Sequence, residues 1–201
     1  EITMCGIVGM VSSKTVWPEL LESLIHLQHR GQDAAGIITC SKRFNIHRKK
    51  GLVREVFANS DLSFLRGKTG IAHVRYPTHG SSIELDETQP FWTNTALGLS
   101  LAHNGTLTNC DELKLLLNND FCYHLNSESD SELLMHLFAN QLAQSHKNNP
   151  SLDFFKQLCI AVDFLLKNVK GAYSIVSNIM GKGLCAFRDP HGIRPLVVGV
   201  R

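Results

Sequence analysis

The sequence has no long apolar run, no paired-cysteine motif, no marked excess of either charge and no repeat. Each absence removes a class of protein. A bilayer span needs about 20 predominantly apolar residues, and the longest candidate, Leu158 to Leu166, is broken by Asp163. Gly6 to Val11 is too short for a secretory signal and lacks a basic segment ahead of it. No membrane partner is expected, and a cytoplasmic location is. Lys and Arg total 20 against 18 for Asp and Glu, a net charge of +2, so no nucleic-acid partner is expected either. The one basic cluster, Arg48, Lys49 and Lys50, reads as a solvated hairpin end. Without a CxxC pair, the six cysteines do not suggest zinc or an iron–sulfur cluster. Most read as small buried hydrophobes of a reducing compartment. What is present, 43% hydrophobic and 19% charged residues over 201 positions, suits a globular chain with one substantial core.

Strand patterns occupy both ends of the chain and helical patterns the middle. Ile7 to Val11, Ala34 to Cys40, Thr69 to Arg75 and Leu97 to His103 read as strands. Between the first two, Pro18 suits a first helical turn, and Leu20, Leu21, Leu24, Ile25 and Leu27 form one apolar side. Gly31 is available for a left-handed cap after His29 and Arg30. Asn109 with Glu112 starts a second helix, carrying Leu113, Leu116 and Leu117. Ser129 with Glu132 has the spacing of a capping box, followed by Leu134, Leu137, Phe138 and Leu142. A fourth helix follows Pro150, with Leu152, Phe155, Leu158, Val162 and Leu165 as its stripe. Strands return at Ala172 to Met180, Leu184 to Arg188 and Leu196 to Val200. This order predicts a layered α+β domain rather than an alternating parallel one.

Four polar motifs fall at predicted strand ends or helix starts, where rigid scaffolds present functional groups. They are Cys5-Gly6, His73-Val-Arg75-Tyr-Pro-Thr78, His103-Asn104-Gly105 and Ser129-Asp130-Ser131-Glu132. Each alone has a plain structural reading. Cys5 could be a buried thiol and Arg75 an ordinary ion-pair partner. Asn104-Gly105 is a hairpin-turn signal, and Asp130 an acidic first-turn residue that favours the helix dipole.

Their order and combination, with Met4-Cys5-Gly6-Ile7-Val8-Gly9 and Leu27-Gln28-His29-Arg30-Gly31-Gln32-Asp33, resemble the class II glutamine amidotransferases. The resemblance runs from Met4 to Arg201. It implies a four-layer αββα sandwich of two antiparallel sheets, the fold of N-terminal-nucleophile hydrolases, with residues 5–201 as one glutaminase domain. Ala186-Phe187-Arg188-Asp189-Pro190-His191-Gly192-Ile193-Arg194-Pro195-Leu196 is similar to the purine-synthesis branch, as are Gln28 to Ile38 and His73 to Thr78. There the glutaminase is joined to a phosphoribosyltransferase domain, and ammonia passes to phosphoribosyl pyrophosphate to give 5-phosphoribosylamine. The resemblance implies Cys5 as nucleophile, its own α-amine accepting the thiol proton, and a thioester intermediate with L-glutamine. Proton transfer between an amine near 7.7–8.0 and a thiol near 8.5 is close to balanced. Asn104 and the Gly105 N–H would form the oxyanion hole. Arg75 would take the substrate carboxylate and Asp130 its ammonium, with His73 and Thr78 completing the substrate-binding set and Arg30 and Gly31 supporting the nucleophile. No cofactor is implied for this domain, since Mg2+ belongs to the phosphoribosyltransferase domain, whose motif does not occur here. The parent is expected to be homo-oligomeric.

Two departures stand out. Glu1-Ile2-Thr3 precede Met4, which reads as an expression remnant that would leave Cys5 acylated and inactive if retained. His79 stands where a small residue is expected beside the lid residue Thr78. Three alternatives remain open: a cysteine–histidine hydrolase using His73 or His103 as base, the glutaminase of another class II branch, and a non-catalytic glutamine-binding module.

Overall fold

The β-branched and small-residue stretches become strands and the amphipathic stretches helices, in the order β1 (Gly6–Val11), α1 (Trp17–Leu27), β2 (Ala34–Cys40), β3 (Phe44–Lys50), α2 (Val53–Phe57), β4 (Thr69–Arg75) and β5 (Phe91–Thr93). Then come β6 (Leu99–Leu107), α3 (Cys110–Phe121), α4 (Asp130–Asn148), α5 (Phe154–Asn168), β7 (Gly171–Ile179) and β8 (Gly183–Arg188). The computed structural model describes residues 5–76, 87–95, 97–121 and 124–200, the side chains of 118–121 excepted. Thr78, His79, Cys122 and residues 1–4 lie outside the described residues.

The strands form two antiparallel four-stranded sheets, ordered β1-β4-β2-β3 and β5-β6-β7-β8. Helices α1 and α2 cover the outer face of the first sheet, and Leu20 and Leu24 of α1 bury fully against Ala35, Ile37, Ala72 and Val74. Helices α3, α4 and α5 cover the outer face of the second, with Leu134, Leu137, Phe138 and Leu142 packed on Leu101, Tyr173 and Ile175. A smaller cluster, Ile38, Ile71, Ala102 and Val176, joins the inner faces. Four layers result: helix, sheet, sheet, helix. Each apolar strand face is buried by its own neighbour layer, which is the condition for stacking sheets this way. Among the described residues no helix is long and apolar enough to cross a membrane.

Several local expectations change. β6 runs on to Leu107, so Asn104-Gly105 lies inside a strand, paired with Ser174 and Tyr173, and makes no hairpin turn. Gly31 is extended at φ −160° rather than left-handed. Its role is close approach, since a Cβ there would lie 2.6 Å from the Arg75 carbonyl. Phe155 is 71% exposed, because α5 is capped by Asp153 and turns Phe154, Leu158, Ala161 and Leu165 inward instead. Leu196 to Val200 form no strand; Val197 and Val198 are 88% and 84% exposed. Pattern does not mark β3 or β5 as strands, as β3 is polar toward its end and β5 only three residues long.

Candidate functional site

Cys5 precedes β1, whose antiparallel register with β4 brings the nucleophile candidate beside the strand end that carries Arg75 and Tyr76. The Arg30 Nε donates to the Cys5 carbonyl at 3.1 Å, from the single 3-10 turn that follows α1. Cys5 lines two cavities. One, of about 370 Å3, is bounded by Cys5, Arg75, Glu87, Gly105 and Asp130. The other, of about 670 Å3, has Cys5, Arg30 and Asn104 along one side and the Pro195–Gly199 segment along another. The sequence motifs named separately thus meet around one sulfur atom.

Burial pushes the Cys5 thiol above its ordinary range, while a hydrogen bond from the Tyr76 backbone and the charge of Arg75 pull it down. A thiol raised in this way needs a proton acceptor at hand to become a nucleophile at neutral pH.

Arg75 and Asp130 face the smaller cavity with opposite charge. Asp130 opens α4 behind the N-cap Ser129, whose side chain accepts from the Ser131 N–H. Its Oδ2 accepts the Leu107 N–H at 3.1 Å, tying the helix start to the end of β6. Burial raises the Asp130 carboxyl, but the His103 contact and hydrogen bonds from Leu107 and Ser131 outweigh it and hold the group below its ordinary value. Asp130 is therefore anionic at neutral pH. Glu132 does not close the expected box onto Ser129. Its carboxylate reaches back to Asn126 and Ser127, accepting four hydrogen bonds of 2.6–3.2 Å, and so fixes the loop that brings Glu128 and Ser129 to the cavity rim.

His73 is fully buried and is not among the described residues that line this cavity. Burial, with the charges of His103 and Arg75, pushes its pKa down to about 3, so it is a poor proton acceptor for a thiol. His103 is 2% exposed and its Nδ1 lies 2.9 Å from the Ser131 Oγ and 3.5 Å from Asp130. Gly31 likewise stays away from the cavity and acts through its packing on the Arg75 backbone. Gly105 lets β6 pass close to β7: a Cβ would meet the Ala172 carbonyl at 2.0 Å.

Several lining residues escaped the sequence reading, Glu87, Gln89 and Leu107 among them. Glu87 pairs with Arg75 at 3.0 Å. Gln89 donates to Ser131 Oγ at 3.0 Å and accepts the His103 N–H at 2.7 Å. Leu107 contributes only its N–H. The first two are single polar residues before a short strand, and a backbone donor has no side-chain signature, so nothing in the pattern marked them.

The glutamine amidotransferase domain model matches residues 82–201, more than half the chain. The amidophosphoribosyltransferase of Pasteurella multocida (strain Pm70) is 48% identical over 200 residues, covering 98% of this chain and 39% of the relative. The chain therefore spans about two fifths of the length of the curated relatives it matches. Among solved structures, the allosteric regulatory enzyme of purine biosynthesis superposes with a TM-score of 0.73 at 32% identity, over 96% of this chain and 38% of that one. Glutamine phosphoribosylpyrophosphate amidotransferase from B. subtilis, solved with ADP and GMP, gives 0.70 at 32% identity, over the same 96% and 38%. In fold, in the order of its motifs and in sequence, the chain belongs to the glutamine amidotransferase domain family.

Proposed function

We propose that this chain hydrolyses L-glutamine to glutamate and ammonia through a thioester on Cys5, as the glutaminase part of an amidophosphoribosyltransferase. The observation that carries the reading is the convergence of Cys5, Arg75, Gly105 and Asp130 on one cavity of about 370 Å3. Opposed Arg75 and Asp130 suit a free amino acid, whose carboxylate and ammonium sit on one carbon; a peptide has lost one or both charges. Arg75 offers a planar fork to the carboxylate.

Once residues 1–4 are removed, the Cys5 thiol gives its proton to its own free α-amine, and the sulfur attacks the side-chain amide carbon. Negative charge then gathers on the former amide oxygen, where the Asn104 amide and the Gly105 N–H donate to it. Collapse expels the nitrogen as ammonia, which takes its extra proton from the α-ammonium. Water then attacks the thioester carbon, with the amine again accepting a proton, and glutamate leaves as the thiol is restored. The low pKa of His73 supports the α-amine over that histidine as base. No cofactor enters these steps. In the longer parent, a phosphoribosyltransferase domain with its Mg2+ would combine the ammonia with phosphoribosyl pyrophosphate to give 5-phosphoribosylamine.

The test compares chains beginning at Cys5 with chains that retain residues 1–4, N-termini confirmed by mass, for glutamate release from glutamine. The extension should lower activity by about 10²–10⁴-fold, the range attributed to a positioned proton acceptor. Cys5→Ala in the shorter chain should abolish turnover. Equal activity with and without the extension would rule out the α-amine mechanism.

A further inference from the structure

The guanidinium that faces the cavity already holds a carboxylate. Arg75 Nη2 donates to Glu87 Oε2 at 3.0 Å, and its Nε lies 3.9 Å from Asp33. Nη1 is buried with no hydrogen-bond partner among the described residues. A carboxylate gripped by two parallel N–H donors uses either Nη1 with Nη2 or Nε with Nη2. Nη2 carries one N–H toward each face, so Glu87 fills the carboxylate position on one face of the fork, while Asp33 stands near the Nε that serves the side-on face. An incoming carboxylate would also face the charges of Asp33 and Glu87, which already offset the cation.

Glu87 is placed to let go without dragging its backbone. The Arg48 guanidinium donates to the next carbonyl, Thr88. One residue further on, the Gln89 side chain is pinned by Ser131 and by the His103 N–H. The Glu87 side chain is 19% exposed and itself lines the cavity. A rotamer change frees Nη2 while the anchored strand start stays fixed.

We infer that Glu87 is an internal counter-ion of the substrate site, which holds the carboxylate position on Arg75 until the α-carboxylate of an amino acid displaces it. The inference rests on the glutamine reading of this cavity. Its consequence is selectivity. A ligand lacking an α-carboxylate leaves the Glu87–Arg75 pair intact and gains nothing from Arg75. A full amino acid exchanges one ion pair for another and gains the Asp130 contact as well.

The test is calorimetric binding of L-glutamine and of its α-carboxamide, at a pH where both amines are charged. It uses the full chain carrying Cys5→Ala to prevent turnover, with and without Glu87→Gln or Glu87→Ala. Removing the competitor should tighten L-glutamine binding by roughly 3- to 10-fold, the scale of a partly exposed ion pair. The carboxamide should change by less than about twofold, the factor that a few tenths of a kcal/mol represents. Unchanged or weaker glutamine binding in both variants would show instead that Glu87 orients Arg75, and would overturn the inference. Equal tightening of both ligands would overturn it too, by tracing the gain to net charge. If the parent chain bound no glutamine at all, the glutamine reading would fall and this inference with it.

Discussion

The Asp130 carboxylate accepts the Leu107 N–H on one oxygen and the Ser131 hydroxyl on the other, while His103 stands 3.5 Å away. Its acidity is depressed because these partners outweigh the cost of burial. A residue that reads in sequence as an exposed first-turn acid is therefore structural and cavity-facing at once, and Asp130→Ala would orphan a buried N–H as well as remove the charge. Asp130→Asn separates the two roles, since its amide oxygen can still accept from Leu107. The expected result is a Tm within a few degrees of the parent. kcat/KM for glutamine should fall by about 30-fold or more, as when one partner of a desolvated charge pair is removed. Glutaminase kinetics beside a melting curve check this, and an unchanged kcat/KM would return Asp130 to a capping role alone.

At the scale of single elements, helix α4 owes its placement to its first turn. Ser129 caps it, Asp130 ties it to β6, and Glu132 gathers the preceding loop through Asn126 and Ser127. The Ser127 and Asn126 hydrogen bonds overcome the burial that raises Glu132 and hold its carboxyl below the ordinary value. A carboxyl with a depressed folded pKa stabilises fully above its unfolded pKa of about 4.3, and that contribution is lost as pH falls through the folded value. Glu132→Gln should thus cost about 1–3 kcal/mol at pH 7, the scale of hydrogen bonds to a charged group. The gap between parent and variant should close on acidification, which melting curves at neutral and acid pH would reveal. A gap that persists at low pH would count against the charge as its source.

The strong elements were legible from sequence for physical reasons. β2 and β4 read as apolar, β-branched runs, and α1 and α4 carry 3.6-residue periodicity. Asn104-Gly105 misled as a turn because the glycine serves close passage of β6 over β7, which is a tertiary demand. Cys5, Arg75 and Asp130 stood out as polar motifs at element ends, and only the resemblance assigned them roles. Glu87 and Gln89 were not, since their meaning depends on partners brought in by the sheets.

Across the whole molecule, each sheet with its helices forms a half with its own core, and the joint between the halves is thin. Gly36 of β2, in the first half, packs on the Gln89-Pro90 segment that leads into the second sheet. A Cβ at position 36 would stand 2.3 Å from the Gln89 carbonyl and 3.0 Å from Pro90 Cδ. Because backbone rather than a side-chain tip lies in the way, Gly36→Ala should destabilise by about 1–3 kcal/mol, in the range of overpacked cores. It should also depress glutamine turnover by shifting Gln89 off Ser131 and His103. Denaturant melts and kinetics on the same preparation would register both, and a variant as stable and active as the parent would show that the halves can separate freely here. The cavity inherits this division. Cys5 and Arg75 come from the first half, Gly105 and Asp130 from the second. On the proposed reading, an amino acid whose α-carboxylate meets Arg75 and whose α-ammonium meets Asp130 is a rivet through the joint. Occupancy and alignment of the two sheets become linked quantities: whatever loosens the sheets weakens the grip on substrate, and each bound molecule resists their separation.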